Sequence, residues 1–166
     1  KDNEDDDADE KQTLYQLKLR GGDGAVIYMT TTPSSEVGAL LHEAALAVLE
    51  RTNPVLVGRY YEANSMFQDA ERIAADLVTS TDKTRKLNGL MVRGNTRIRQ
   101  RRYDDAIADF QSVLEIEPRY ALALVNTAWA NVWARRWTAC VKAADEAIAL
   151  DEKIANAYAH KAYCQM

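Results

Sequence analysis

The chain has 166 residues, is 47% hydrophobic and carries a formal charge of −4 at pH 7. That length suits one ordinary domain or a short solenoid, with normal apolar content for a packed core. No stretch approaches the ~20 consecutive apolar residues that a membrane-crossing helix needs, so no membrane span is expected.

Charge is spread unevenly. Residues 1–10 hold seven of the 25 acids and one of the 21 bases, which leaves 18 acids against 20 bases in the rest. With almost nothing apolar to bury, residues 1–12 read as an acidic disordered linker. They do not read as a calcium loop, which needs a central Gly and a terminal bidentate Glu at set spacing.

Residues 13–52 read as a β-hairpin followed by a helix. Residues 13–19 alternate, with Tyr15, Leu17 and Leu19 on one face, and residues 25–31 are rich in β-formers around Val26, Ile27 and Tyr28. Gly21-Gly22-Asp23-Gly24 between them predicts a hairpin turn. A phosphate loop would run into a helix N-terminus, whereas this one runs into a second strand. Such a hairpin is marginal alone and must pack on the next helix or join a larger sheet. Thr32-Pro33-Ser34-Ser35 then caps a helix with Glu36 in its first turn. Val37, Leu40, Leu41, Ala44, Ala45, Val48 and Leu49 form its apolar stripe. Asn53-Pro54 ends it and starts another, Asn as N-cap and Pro at the first helical position. His42-Glu43 begins a zinc-protease-like helix motif, but Leu46 stands where the second His would be, so His42 reads as a surface residue.

Further helices are expected at about 54–64, 66–79, 85–99, 103–116, 121–134, 138–150 and 155–165. Cys140 and Cys164 form no metal or redox motif and read as two free structural thiols in a reducing compartment. No paired acid and base, metal set or nucleophile motif supports an enzyme, and no cofactor or metal site is expected.

Residues 87–120 and 121–154 repeat one another at a period of 34. Gly94 falls on Ala128, Tyr103 on Trp137, Ala106 on Cys140 and Leu114 on Ile148. A third copy starts at Ala155 and reaches one helix. Stacked two-helix units make surfaces for holding partners.

These units resemble the tetratricopeptide repeat (TPR). Its small eighth position is matched by Gly94, Ala128 and Ala162, and its aromatic seventeenth by Tyr103 and Trp137. Ala106 and Cys140 match the twentieth, Phe110 and Ala144 the twenty-fourth, and Pro118 the closing proline. The usually apolar seventh and eleventh positions depart from the pattern, holding Arg93 and Arg97, then Thr127 and Asn131. Looser or more polar packing against the preceding helices is expected there. Gly58, Tyr61, Phe67, Ala70, Ala74 and Leu77 suggest a degenerate unit beginning at Arg51, with the next unit two residues late. The resemblance implies a mainly α, TPR-like solenoid of helical hairpins, winding as a right-handed superhelix after the small β-hairpin. Within 53–166 the units are 53–86 (degenerate), 87–120, 121–154 and 155–166 (partial).

In such arrays the first helix of each unit lines a concave groove. The groove positions here are Asn88, Met91, Asn95, Ile98 and Arg99, then Leu122, Val125, Asn126, Trp129, Val132 and Trp133, then Asn156, Ala159, His160, Tyr163 and Met166. Trp129 and Trp133 with Tyr163 beside them suggest an aromatic shelf, either open to a ligand or filled by neighbouring helices or another copy. Asn95 and Asn126 match the asparagines of the two-carboxylate clamp that some members use for chaperone C-termini. Met91, Asn156 and His160 replace its cations, so that reading is disfavoured. Arg101-Arg102 and Arg135-Arg136 occupy equivalent turns and suggest a basic edge for an acidic partner or a merely solvated ridge. Nucleic acid is disfavoured by the overall charge and the lack of a readout motif.

The expectation is therefore an interaction scaffold holding a peptide or protein segment through Asn95, Arg99, Asn126, Trp129, Trp133 and Tyr163. The alternative is self-assembly, since the last helix lacks its partner helix. The start at Lys1 without a signal-peptide pattern, and a weaker resemblance to large bacterial TPR proteins, suggest a fragment of a bacterial chain. It is expected to be cytoplasmic, with a membrane anchor open for the parent protein.

Overall fold

The computed structural model describes residues 14–20, 24–33 and 36–166. The acidic segment, residues 21–23 of the hairpin loop and residues 34 and 35 of the cap lie outside them. The chain divides into two compact units after Thr52.

In the first unit, β1 (Leu14–Arg20) and β2 (Val26–Pro33) pair antiparallel, Leu17 opposite Thr30, with an irregularity between Leu19 and Arg20. Gly24 takes a φ of 80°, which glycine adopts without steric cost. The Arg20 guanidinium donates to its carbonyl at 3.1 Å. A two-stranded sheet needs a covering element, and α1 (Val37–Thr52) packs on it through β2. Leu40 and Ala44 are buried while Leu41 and Ala45 are exposed, so the covered face is narrower than the apolar stripe.

The second unit stacks α2 (Pro54–Ala63), α3 (Phe67–Val78), α4 (Lys83–Arg99), α5 (Tyr103–Ile116), α6 (Ala121–Trp133), α7 (Trp137–Leu150) and α8 (Ala155–Gln165). Each packs on its sequence neighbours, and α2 on α4, α4 on α6, and α6 on α8. Local chemistry sets the starts. The Asn53 side chain accepts from the Leu56 N–H ahead of Pro54, and Asp82 accepts from the Arg85 N–H at 2.7 Å. Asp82 thereby starts α4 two residues before the sequence expectation.

Three turns between paired helices share one geometry. Ser65, Arg101 and Arg135 have φ of 61°, 64° and 57°. The following N–H groups, of Met66, Arg102 and Arg136, donate to the carbonyls of Tyr61, Arg97 and Asn131 at 2.8, 2.8 and 2.9 Å. This is the left-handed helix stop that usually carries glycine. Ser65 precedes Arg101 by 36 residues and Arg101 precedes Arg135 by 34, so the same turn geometry recurs after α2, α4 and α6.

Small residues let the helices approach. A Cβ on Gly94 would sit 2.5 Å from Phe110 Cε1, and the next unit exchanges this Gly–Phe pair for Ala128 and Ala144, both fully buried. A Cβ on Gly89 would meet Leu77 Cβ at 2.6 Å and the Val78 backbone nitrogen at 2.9 Å. Gly89 is thus the closest approach of α3 and α4, and the repeat pattern did not single it out.

Where looser or more polar packing is expected, Arg93 and Arg97 form ion pairs. Both turn toward α5 of their own unit and close on Asp109, whose side chain is only 4% exposed. Arg93 donates from Nε and Nη2, the latter at 2.7 Å, and Arg97 from Nη1 at 2.6 Å. In the next unit Asp109 becomes Ala143, and its cations become Thr127 and Asn131, which bond carbonyls of their own helix.

Cys140 and Cys164 form a disulfide across α7 and α8, which overturns the expectation of free thiols. The residues 34 earlier, Ala106 and Ala130, are both fully buried in one core cluster. That junction places a helix-B side chain against the next helix A, and cysteines at both positions are close enough to bond.

Candidate functional site

The first helices of the units, α4, α6 and α8, carry the groove residues. Met91, Ile98, Val125 and Val132 are buried and belong to the core. The chain positions Asn95 and Asn126 to bond each other, Asn126 Nδ2 donating to Asn95 Oδ1 at 2.8 Å. One donor and one acceptor of the pair are thereby used, and the Asn95 amide hydrogens and Asn126 carbonyl oxygen remain.

Trp129 is half-buried between two rings. It meets Trp133 edge-on, centroids 5.2 Å apart at 81°, and stacks on His160 at 4.8 Å and 25°. Burial pushes the His160 imidazole below its ordinary pKa, so the stacked ring is neutral at pH 7. Trp133 is 53% exposed, on a helix whose neighbour braces Trp129 behind it. Tyr163 does not complete this shelf. It pairs with Trp137, centroids 6.5 Å apart, and His160 takes the place beside Trp129. The sequence placed His160 on the groove and at a missing clamp cation, but not against Trp129.

Arg99 is partly engaged. It donates to Ser65 Oγ at 3.3 Å, lies 5.9 Å over the Phe67 ring and has the Glu62 carboxylate at 4.0 Å. Burial raises the Glu62 pKa, with Arg99 and Arg59 opposing it.

The basic edge splits in two. Arg102 pairs with Glu71 at 2.8 Å and Asp105 at 2.9 Å. Arg136 grips Asp104 through both terminal nitrogens, and those hydrogen bonds hold the Asp104 carboxyl below its usual pKa. Arg136 also lines an outer cavity of about 340 Å³ with Thr127 and Asn131. Arg101 and Arg135 make no ion pair among the described residues. Arg101 instead lines a hollow of about 360 Å³ with Ile98, Arg99, Tyr103, Trp129 and Trp133. Of the basic cluster early in α4, Lys83 is tied to Glu117 at 2.6 Å.

Among the described residues no group of three or more His, Cys, Asp or Glu could hold a metal ion, and no helix is long and apolar enough to cross a membrane. No protein-family model matches the chain, and no curated protein does. Solved structures do. The TPR2B-domain:pHsp70 complex of yeast Sti1 superposes with a TM-score of 0.61 at 16% identity, over 70% of this chain and 97% of that one. The TPR2AB-domain:pHSP90 complex of yeast Sti1 gives 0.61 at 15%, over 80% of this chain and 54% of that one. The fold is a TPR-like helical solenoid.

Proposed function

We propose that the chain is a binding scaffold that holds a peptide or protein segment in the groove formed by α4, α6 and α8. The observation that carries this is Trp133, half exposed and backed by a Trp129 that His160 holds in place. A braced aromatic loses little side-chain entropy on binding, which suits it to be an anchor. Asn95 and Asn126 offer their remaining polar atoms to a ligand main chain, and Arg99 borders the hollow lined by Trp129 and Trp133. The Sti1 domains, whose solved complexes carry pHsp70 and pHSP90, support a peptide-binding role for this fold. A carboxylate clamp is not favoured, because Met91 is in the core, Asn156 is uncharged and His160 is neutral.

The test is a phage-displayed random dodecapeptide library selected on the full chain. Peptides that bind should lose about 30-fold or more in affinity to Trp133→Ala, roughly the 2 kcal/mol of a hot-spot aromatic. Unchanged affinity with the fold intact refutes the groove.

Self-assembly is the second reading. Trp137, Tyr158, Tyr163 and Met166 are exposed around α8. Sedimentation that stays monomeric over a wide concentration range removes it. The disulfide bears on location: such bonds persist in oxidising compartments, which favours one of those over the cytoplasm for the folded chain.

A further inference from the structure

The aromatic hollow at Trp133 has a second copy one repeat along. Moving 34 residues carries Arg101 to Arg135, Tyr103 to Trp137 and Trp129 to Tyr163. Tyr103 and Trp129 line the first hollow; Trp137 and Tyr163 line another of about 460 Å³, with Cys164 and Met166. The preceding junction shows what such a step accepts. There Phe67 stands in the place of Tyr103, and the chain's own Arg99 lies over its ring.

Arg101 lines the first hollow, and Arg135 stands at the equivalent backbone position one repeat on. Arg101 and Arg135 hold the left-handed turn residue, where glycine is favoured and any other side chain is strained. Neither makes an ion pair among the described residues, although their neighbours Arg102 and Arg136 do. No acid lines either hollow. A strained backbone that presents an uncompensated charge beside an open aromatic step fits recognition of the opposite charge.

We infer that the turn edge of the groove is a two-step site for an acidic peptide, in which apolar side chains seat against Trp133 and against Trp137–Tyr163 and flanking carboxylates meet Arg101 and Arg135. This rests on the groove reading and names its ligand class. Single-stranded nucleic acid, the other ligand of arginine–aromatic surfaces, needs successive free ring faces for stacking. Trp129 has one face on His160 and meets the edge of Trp133, so the shelf offers one exposed indole instead of a run of platforms.

The experiment is the same dodecapeptide selection on the disulfide-bonded full chain, with affinities measured by fluorescence anisotropy for the parent, Arg101→Gln, Arg135→Gln, Arg101→Lys and Trp133→Ala, each checked for an unaltered thermal melt. Selected peptides should carry Asp or Glu within two residues of a large apolar side chain. Their affinity should fall about tenfold in Arg101→Gln, fall again when Arg135→Gln is added, recover in part in Arg101→Lys, and weaken with salt. Peptides without acids that lose binding only in Trp133→Ala would overturn the charge assignment and leave the groove standing. Peptides indifferent to every variant, or no enrichment, would overturn both. Tighter binding of a 20-residue oligo(dT) than of any selected peptide would overturn the peptide class.

Discussion

Removing the carboxylate of Asp109 tests the ion triad directly. In Asp109→Ala, Arg93 and Arg97 keep side chains only 25% and 19% exposed but lose their common anion. Breaking a buried pair by deleting one partner costs about 3–5 kcal/mol. Partial exposure lets water screen the two cations and moves the expected loss to about 3 kcal/mol. Arg97 Nε is already buried without a hydrogen-bond partner, and the Asp105 carbonyl, 3.2 Å from Nη1, is the acceptor left to that guanidinium. The next repeat supplies the control, since the same three positions there hold Thr127, Asn131 and Ala143. Transplanting them as Arg93→Thr, Arg97→Asn and Asp109→Ala removes the charges together and should return stability to within about 1 kcal/mol of the parent, because replacing a whole buried ion set is often close to neutral. Urea unfolding followed by circular dichroism gives both values, and an unchanged slope shows that the same surface unfolds. A loss below about 1 kcal/mol in Asp109→Ala, or a triple variant no better than the single one, would refute the reasoning.

Opening the disulfide by Cys164→Ser frees a 24-residue separation, worth about 3 kcal/mol in the chain-entropy picture. Hydrogen exchange should quicken first in α8, and thiol alkylation of the parent should require a reductant. Arg135→Gly should raise the urea midpoint by the equivalent of about 0.5–1 kcal/mol, since glycine suits the left-handed turn, while weakening acidic peptides in the anisotropy assay; a lower midpoint would show that the arginine contributes contacts outweighing its backbone cost.

The 34-residue period made most of the fold legible. Helix limits, the two-residue slip after the first hairpin and the small eighth positions all follow from periodicity and size, which are written locally. What the sequence concealed lies between helices. Arg93 and Arg97 look like faults in a packing pattern until Asp109, a turn and a half into the next helix, is placed opposite them. The groove was only partly readable because the face a residue presents depends on superhelix geometry. Met91, Ile98, Val125 and Val132 sit on groove positions yet are core, and Tyr163 turns to Trp137. The disulfide could have been found. Comparing Cys140 and Cys164 with Ala106 and Ala130 asks which small residues touch across a junction, whereas a search for cysteine spacing motifs asks a different question.

In a solenoid, stability is close to a sum over neighbouring junctions, and α8 packs on α7 and α6. Only Ala157 of α8 is buried, beside the Lys161–Asp145 pair, the His160–Trp129 stack and the disulfide. The two earlier junctions manage with small fully buried residues where the cysteines stand: Ala70 with Thr96, and Ala106 with Ala130. A covalent bond stands in that place between α7 and α8. The same helix carries His160, whose ring fixes Trp129, and Tyr163, which forms the second aromatic step. Fraying of α8 would therefore loosen both steps of the groove while leaving α2 to α5 intact.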